Sequence, residues 1–163
     1  MTRAPDAPHP DLSAVPDAEL LRLDHQVCFS LHAASRAFGG FYRQALKDLG
    51  LTYSQYLVML VLWEDGPQPV KAIGRRLHLD SGTLSPLLKR LEAAGLVRRE
   101  RSREDERSVL IELTHEGARL RDRALSVPRG VLAATGLSLD EVLGLQKVLG
   151  RLTNALGKTA DAG

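Results

Sequence analysis

Apolar residues recur at helical spacing along most of the chain, and capping or turn residues divide them into separate runs. Asp17 to Arg22 reads as a short lead-in helix, after which Asp24 caps a long helix running to about Leu49 and ended by Gly50. Val27, Leu31, Ala34 and Phe38 form its apolar stripe, widened by Cys28, Phe29, Phe41 and Tyr42, so this helix needs more than one partner. Gly39 and Gly40 interrupt it, each costing up to about 1 kcal/mol relative to Ala, and a bend or a close backbone approach is expected there. Thr52 and Gln55 make a capping-box pair ahead of the very apolar run Tyr56 to Trp63, a buried core helix closed by Gly66-Pro67.

The next stretch is the most informative. Val70 to Leu77, with Ala72, Ile73 and Leu77 apolar, predicts a short helix, and His78 to Asp80 a turn. Asp80 then caps a second helix in which Leu84, Leu87, Leu88 and Leu91 share one face and Gly95 supplies a left-handed end. The free face carries Ser81, Ser85 and Lys89 at steps of four, with Thr83 and Arg90 beside them. These hydroxyls and cations suit phosphate oxygens and base edges. Pro86 lacks the N–H that would bond the Gly82 carbonyl, so this helix either bends there or becomes regular only near Ser85. Val97 and Val109 to Leu113 suggest two strands, with the polar segment Ser102 to Glu106 as the hairpin tip.

Thr114 caps a further helix whose charged face is Arg119, Arg121, Asp122 and Arg123, and Pro128 must end or kink it. Ser138 and Glu141 form a second capping box before the stripe Leu139, Val142, Leu145, Val148, Leu149 and Leu152. The fold class is therefore mainly α with a small β-wing: a winged helix-turn-helix domain plus N- and C-terminal dimerisation helices. Residues 1–16, with their four prolines, read as a flexible arm and 158–163 as a loose tail. The domain itself runs over 17–157, with its DNA-binding part at about 52–113 and dimerisation helices at about 17–50 and 114–157. The terminal helices have more apolar surface than the small central motif covers. A two-fold homodimer resolves this, and sets two reading helices about 34 Å apart on a palindromic site in double-stranded DNA.

Composition adds a class and a charge pattern. An apolar share of 44% in 163 residues fits one soluble domain with a real core. No apolar run reaches membrane-spanning length and no secretory signal is evident, so a cytoplasmic location without membrane contact is expected. The net charge of +2 conceals an asymmetry: Lys71 to Arg103 holds nine Lys or Arg against three acids, a balance of +6, leaving −4 for the rest. Nucleic acid is the partner this favours. No cofactor or catalytic residue is expected.

The one cysteine, Cys28, can make no internal disulfide. From position alone a buried structural role is favoured, because a free cysteine more often packs as a small hydrophobe than reacts; the helix dipole favours a thiolate, but it fades after the first turn and Asp24 opposes it. Tyrosine hydroxyls are candidates for stabilising a thiolate. Tyr42 lies 14 residues along nearly the same face, about 21 Å away in a straight helix, so it approaches Cys28 only if two copies of this helix cross antiparallel. Tyr53 is then able to join it. A competing constellation, His25, Cys28 and His32, has the spacing of zinc ligands and opens a metal-sensing alternative.

With these residues in view, the chain resembles the MarR family of winged-helix regulators, and within it the organic-hydroperoxide-resistance branch. The resemblance covers roughly residues 23–155 and is carried by LDHQVCF around Cys28, LTYSQYLVMLVLWE from Leu51, LDSGTLSPLLKRLEAAGL from Leu79 and REDERSVLIELT from Arg103. It implies a dimeric repressor that leaves its operator when an organic hydroperoxide oxidises Cys28, with Tyr42 and Tyr53 of the partner holding the reduced thiolate. It further implies that Ser81, Thr83, Ser85, Lys89 and Arg90 read the major groove, while Arg107, oriented by Asp105, enters the minor groove. Two departures stand out. His32 occupies the place where several members have a third tyrosine, and no second cysteine follows in the C-terminal helices. The resemblance is thus to the one-cysteine subtype, whose oxidised state is completed by a low-molecular-weight thiol or by ring closure onto the Phe29 amide. A metal- or aromatic-ligand-responsive regulator of the same family is the alternative, and a thiol peroxidase a distant third.

Overall fold

The computed structural model describes residues 16–101 and 109–160, with the backbone alone at 101 and 158–160. The arm up to residue 15, the hairpin tip with Asp105 and Arg107, and the last three residues lie outside the described residues. The chain divides into two units, Met1–Gly40 and Phe41–Gly163, so the boundary falls inside the long helix.

In the first unit, α1 (Asp17–Leu20) leads through a 3-10 turn (Leu23–His25) into α2 (Val27–Ala45). Asp24 is not the cap of the long helix. It lies in the 3-10 turn, and α2 starts two residues later than a cap there requires, with the Gln26 carbonyl accepting from Phe29 and Ser30. The Gln26 side chain reaches back to the Leu20 and Arg22 carbonyls, closing the lead-in by satisfying oxygens that the short helix leaves free. Val27, Phe29, Leu31 and Phe38 are exposed. The helix continues through Gly39 and Gly40, and nothing among the described residues lies within 4 Å of a Cβ built on either, so neither the expected interruption nor a close approach is found.

The second unit holds the core. Past Ala45 the helix tightens into a 3-10 turn (Lys47–Leu49), and Gly50 ends it in the left-handed region at φ 66°. Helix α3 (Tyr53–Asp65) opens on the Thr52/Gln55 capping box and buries Tyr56, Val58, Met59, Val61 and Leu62. It leads by a two-residue strand, β1 (Gln68–Pro69), into α4 (Val70–Leu77) and then α5 (Ser81–Ala93). Leu84, Leu88 and Leu91 of α5 close over Met59, Leu62, Ile73 and Ile111, so α5 buries one face and leaves the other outside. Gly95, at φ 72°, ends α5: its N–H bonds the Glu92 carbonyl and that of Leu96 the Leu91 carbonyl, a Schellman pair. Pro86 lies inside α5, which is regular from Ser81 onward, so the later start near Ser85 is excluded.

Strands β2 (Val97–Arg101) and β3 (Val109–Leu113) pair antiparallel, Val97 opposite Leu113, and β1 pairs with the other edge of β3. The sheet order is β1-β3-β2, one strand more than the sequence predicts. Arg98 and Glu112 face each other across the wing at 3.0 Å. Beyond it come α6 (His115–Ala124), capped by Thr114, then α7 (Ser126–Thr135) and α8 (Leu139–Ala160). Pro128 sits in the first turn of α7, where an N–H has no helical partner to lose, so it separates two helices rather than kinking one. The Ser138/Glu141 box precedes α8 as expected. Helix α8 continues to Ala160, past the point where a tail was expected. Among the described residues, no helix is long and apolar enough to cross a membrane.

Candidate functional site

Helix α5 is presented by a turn that few side chains fit. The chain leaves α4 through His78, whose φ of 53° is left-handed, and the Leu79 N–H then bonds the Gly74 carbonyl at 2.9 Å. A Cβ on Gly74 would stand 2.8 Å from the Leu79 carbonyl oxygen, so only glycine lets the turn lie this close to α4. Asp80 follows and caps α5, accepting from the Thr83 N–H at 2.8 Å and the Thr83 hydroxyl at 2.9 Å. These donors hold the Asp80 carboxyl below its ordinary range. Thr83 is thereby engaged in the cap, whereas Ser81, Ser85, Lys89 and Arg90 point outward from the same helix, all exposed.

The cations around this helix divide by their partners. Arg76 bonds Glu64 and Asp65, both at 2.7 Å, Arg98 bonds Glu112 and Arg99 bonds Glu92. These arginines are occupied in holding elements together. Lys71, Arg75, Lys89 and Arg90 have no acidic partner among the described residues, and Lys71 and Arg75 line a cleft at the helix-helix turn with His78 and Ser81. Sequence reasoning did not single out Lys71 and Arg75 as contact residues. Their step of four on the polar face of α4 was the available signal.

The second group of candidate residues is aromatic. The ring of Tyr42, near the end of α2, lies 4.6 Å from that of Tyr53, the first residue of α3, and is tilted 43° to it. Tyr42 is half-buried. Burial first, then Tyr53 and Tyr56 beside it, push its phenol above the ordinary value, so it stays protonated and able to donate at neutral pH. Tyr53 is 46% exposed. Cys28, in the other unit, is exposed on the first turn of α2, which contains no acidic residue. This removes two sequence expectations: the thiol is not a buried apolar group in the chain by itself, and Asp24 is not on the helix.

His25 also lies before α2, in the 3-10 turn, with its ring Nδ1 3.1 Å from the Glu19 carbonyl oxygen and 3.4 Å from the Glu19 carboxylate. The helical spacing behind the zinc alternative therefore does not apply. Among the described residues no group of three His, Cys, Asp or Glu is placed to hold a metal.

The family model for the transcriptional regulator SarA/Rot matches residues 40–123. The HTH-type transcriptional regulator TtmR of Methylorubrum extorquens is 56% identical over 119 residues, which are 73% of this chain and 61% of that relative's length. The match thus spans under two thirds of TtmR. The organic hydroperoxide resistance transcriptional regulator of Bacillus subtilis is 45% identical over 136 residues, covering 83% of this chain and 92% of the relative. Among solved structures, reduced AbfR bound to DNA has a TM-score of 0.71 at 42% identity and covers 85% of this chain and 97% of its own. The chain therefore belongs to the MarR-type winged-helix transcriptional regulators, DNA-binding proteins rather than enzymes, in the branch of the organic hydroperoxide resistance regulators and with one cysteine.

Proposed function

We propose that this chain is a cytoplasmic homodimeric repressor that holds a palindromic operator while Cys28 is reduced and releases it when an organic hydroperoxide oxidises that thiol. The observation that carries the reading is the pairing of an exposed lone thiol on α2 with a reading helix whose outer face is free. Ser81, Ser85, Lys89 and Arg90 enter the major groove, joined by Thr83 through the acceptor side of the hydroxyl that donates to Asp80; Lys71 and Arg75 meet the backbone, and Arg107, oriented by Asp105, enters the minor groove. A second copy covers the exposed apolar residues of α2 and α8.

The chemistry balances with the groups named. The Cys28 thiolate attacks the terminal peroxide oxygen, the O–O bond breaks, and one proton converts the departing alkoxide to an alcohol, leaving a sulfenic acid. Tyr42 and Tyr53 of the partner donate to the thiolate before attack. A low-molecular-weight thiol then condenses with the sulfenic acid, releasing water, or the Phe29 amide nitrogen closes a ring. Ring closure requires Phe29 to give up its first-turn bond to the Gln26 carbonyl, so it unwinds the start of α2. Either product displaces the α2 contacts between subunits, and with them the spacing of the two reading helices.

The test compares operator binding by the wild type and Cys28→Ser before and after cumene hydroperoxide. The variant is expected to bind as tightly and to remain bound. Normal release of Cys28→Ser would overturn the sensing assignment, and a monomer at operator-saturating concentrations would overturn the dimeric one.

A further inference from the structure

The chain contains three tyrosines and one tryptophan, and all four rings form one continuous series. Tyr53 and Tyr42 lie 4.6 Å apart, Tyr42 and Tyr56 6.1 Å, and Tyr56 and Trp63 6.3 Å between centroids. These are the side chains most readily oxidised by one electron after the thiol, and gaps of this size are short enough for an electron to pass between neighbouring rings. The terminal pair differs from the rest. A ring-to-ring carbon bond sets two six-membered centroids about 4.3 Å apart, two ring radii plus a bond of ~1.5 Å. Tyr42 and Tyr53 already stand close to that separation. Tyr53, at 46% the most exposed of the three, has solvent beside it into which its ring can shift to bring two edges together, whereas Tyr56 is only 4% exposed in the core.

We propose that the ring series Trp63, Tyr56, Tyr42 and Tyr53 gathers one-electron oxidation and deposits it as an intrachain dityrosine bond between Tyr42 and Tyr53. The oxidants are radicals of the class formed by one-electron reduction of organic hydroperoxides. Each alkoxyl radical takes one electron from a ring and the phenol proton, becoming an alcohol, so two radicals generate two phenoxyls. These couple through carbons ortho to oxygen, and the two displaced ring hydrogens pass to the oxygens as the rings regain aromaticity. The net change is the loss of two electrons and two protons from the chain. Protonated phenols at Tyr42 and Tyr56 suit this coupled loss. The bond ties the end of α2 to the start of α3 and, unlike a disulfide or sulfenamide, thiols do not reverse it. It does not depend on the thiol chemistry proposed above.

The experiment uses the full-length Cys28→Ser protein and azide radicals generated by radiolysis, each of which removes one electron from a phenol and becomes azide. The expected product runs as a single chain on denaturing gels, shows dityrosine fluorescence that dithiothreitol leaves unchanged, and has lost two hydrogens, with the Tyr42 and Tyr53 peptides joined. Tyr53→Phe is expected to lower the yield to background, and Tyr56→Phe to retain the Tyr42–Tyr53 product. Trp63→Phe is expected to lower the yield at equal radical dose. Absence of dityrosine, a covalent dimer as the main product, or a joined pair that survives Tyr53→Phe would each overturn the assignment of the bond. An unchanged yield in Trp63→Phe would overturn the gathering role of the series.

Discussion

The indole nitrogen of Trp63 donates a 2.9 Å hydrogen bond to the carbonyl oxygen of Gly117, 54 residues further along the chain. The same glycine has no space for a side chain, because the Leu96 carbonyl lies against its α-carbon, and that carbonyl also accepts from the Thr114 N–H. Gly117 thus receives α3 on its oxygen and the approach to β2 on its other side. Gly117→Ala is expected to cost about 3 kcal/mol, at the upper end of overpacking, since backbone rather than a side chain must give way. Trp63→Phe, which removes one hydrogen bond, is expected to cost about 1 kcal/mol. Urea midpoints at constant slope measure both, and a Gly117→Ala midpoint equal to the wild type would contradict the packing described.

The turn before α5 gives opposite expectations for neighbouring positions. His78→Gly removes a side chain from a left-handed backbone and is expected to raise stability by about 0.5–1 kcal/mol. Gly74→Ala forces a Cβ toward the Leu79 carbonyl, at 2.8 Å, and is expected to lower both stability and operator affinity because α5 must move. Thermal melts and operator titrations separate the two effects. Equal affinity in Gly74→Ala would mean that the turn does not set the position of α5.

Asp80 makes the cap sensitive to acid. Its folded carboxyl titrates below the ordinary 3.8 because the Thr83 N–H and hydroxyl donate to the charged form. A depressed folded value means that the stabilisation is complete above 3.8 and is lost as pH falls through the lower folded value. Asn caps a helix without titrating, so the stability advantage of the wild type over Asp80→Asn is expected to shrink as pH falls below 3.8. A difference that stays constant with pH would place the shift elsewhere.

Loss of a donor to the thiolate is the direct test of the contact between subunits. In the proposed dimer, Tyr42→Phe is expected to slow alkylation of Cys28 by iodoacetamide at neutral pH by roughly tenfold, the equivalent of one charge-assisted hydrogen bond. An unchanged rate, with the dimer intact, would mean that the two residues do not meet.

Features fixed by neighbouring residues were legible in the sequence. The Thr52/Gln55 and Ser138/Glu141 boxes, the caps at Asp80 and Thr114, and the glycine ends at Gly50, Gly66 and Gly95 depend on bonds within a few residues, and each is found where expected. The exposed face of α5 was equally legible, because its four leucines oppose it. Asp24 misled because an acid before an apolar run does not distinguish an α-helix cap from a 3-10 turn. What the sequence concealed depends on distant contacts. Strand β1 has two residues and pairs with β3 more than 40 positions later, while Gly74 and Gly117 are explained by carbonyls that only the folded chain brings near. The turn at His78 to Asp80 was legible, but not that His78 itself takes the left-handed conformation.

Strand β1 also has a mechanical meaning. Pro69 pairs with Leu110 of the wing and is at once the residue from which α4 departs. The wing and the helix pair are thereby tied through one residue, Pro69. In the proposed complex, a shift of β3 is therefore expected to carry the start of α4 with it, so that the wing and the helix pair leave the groove together.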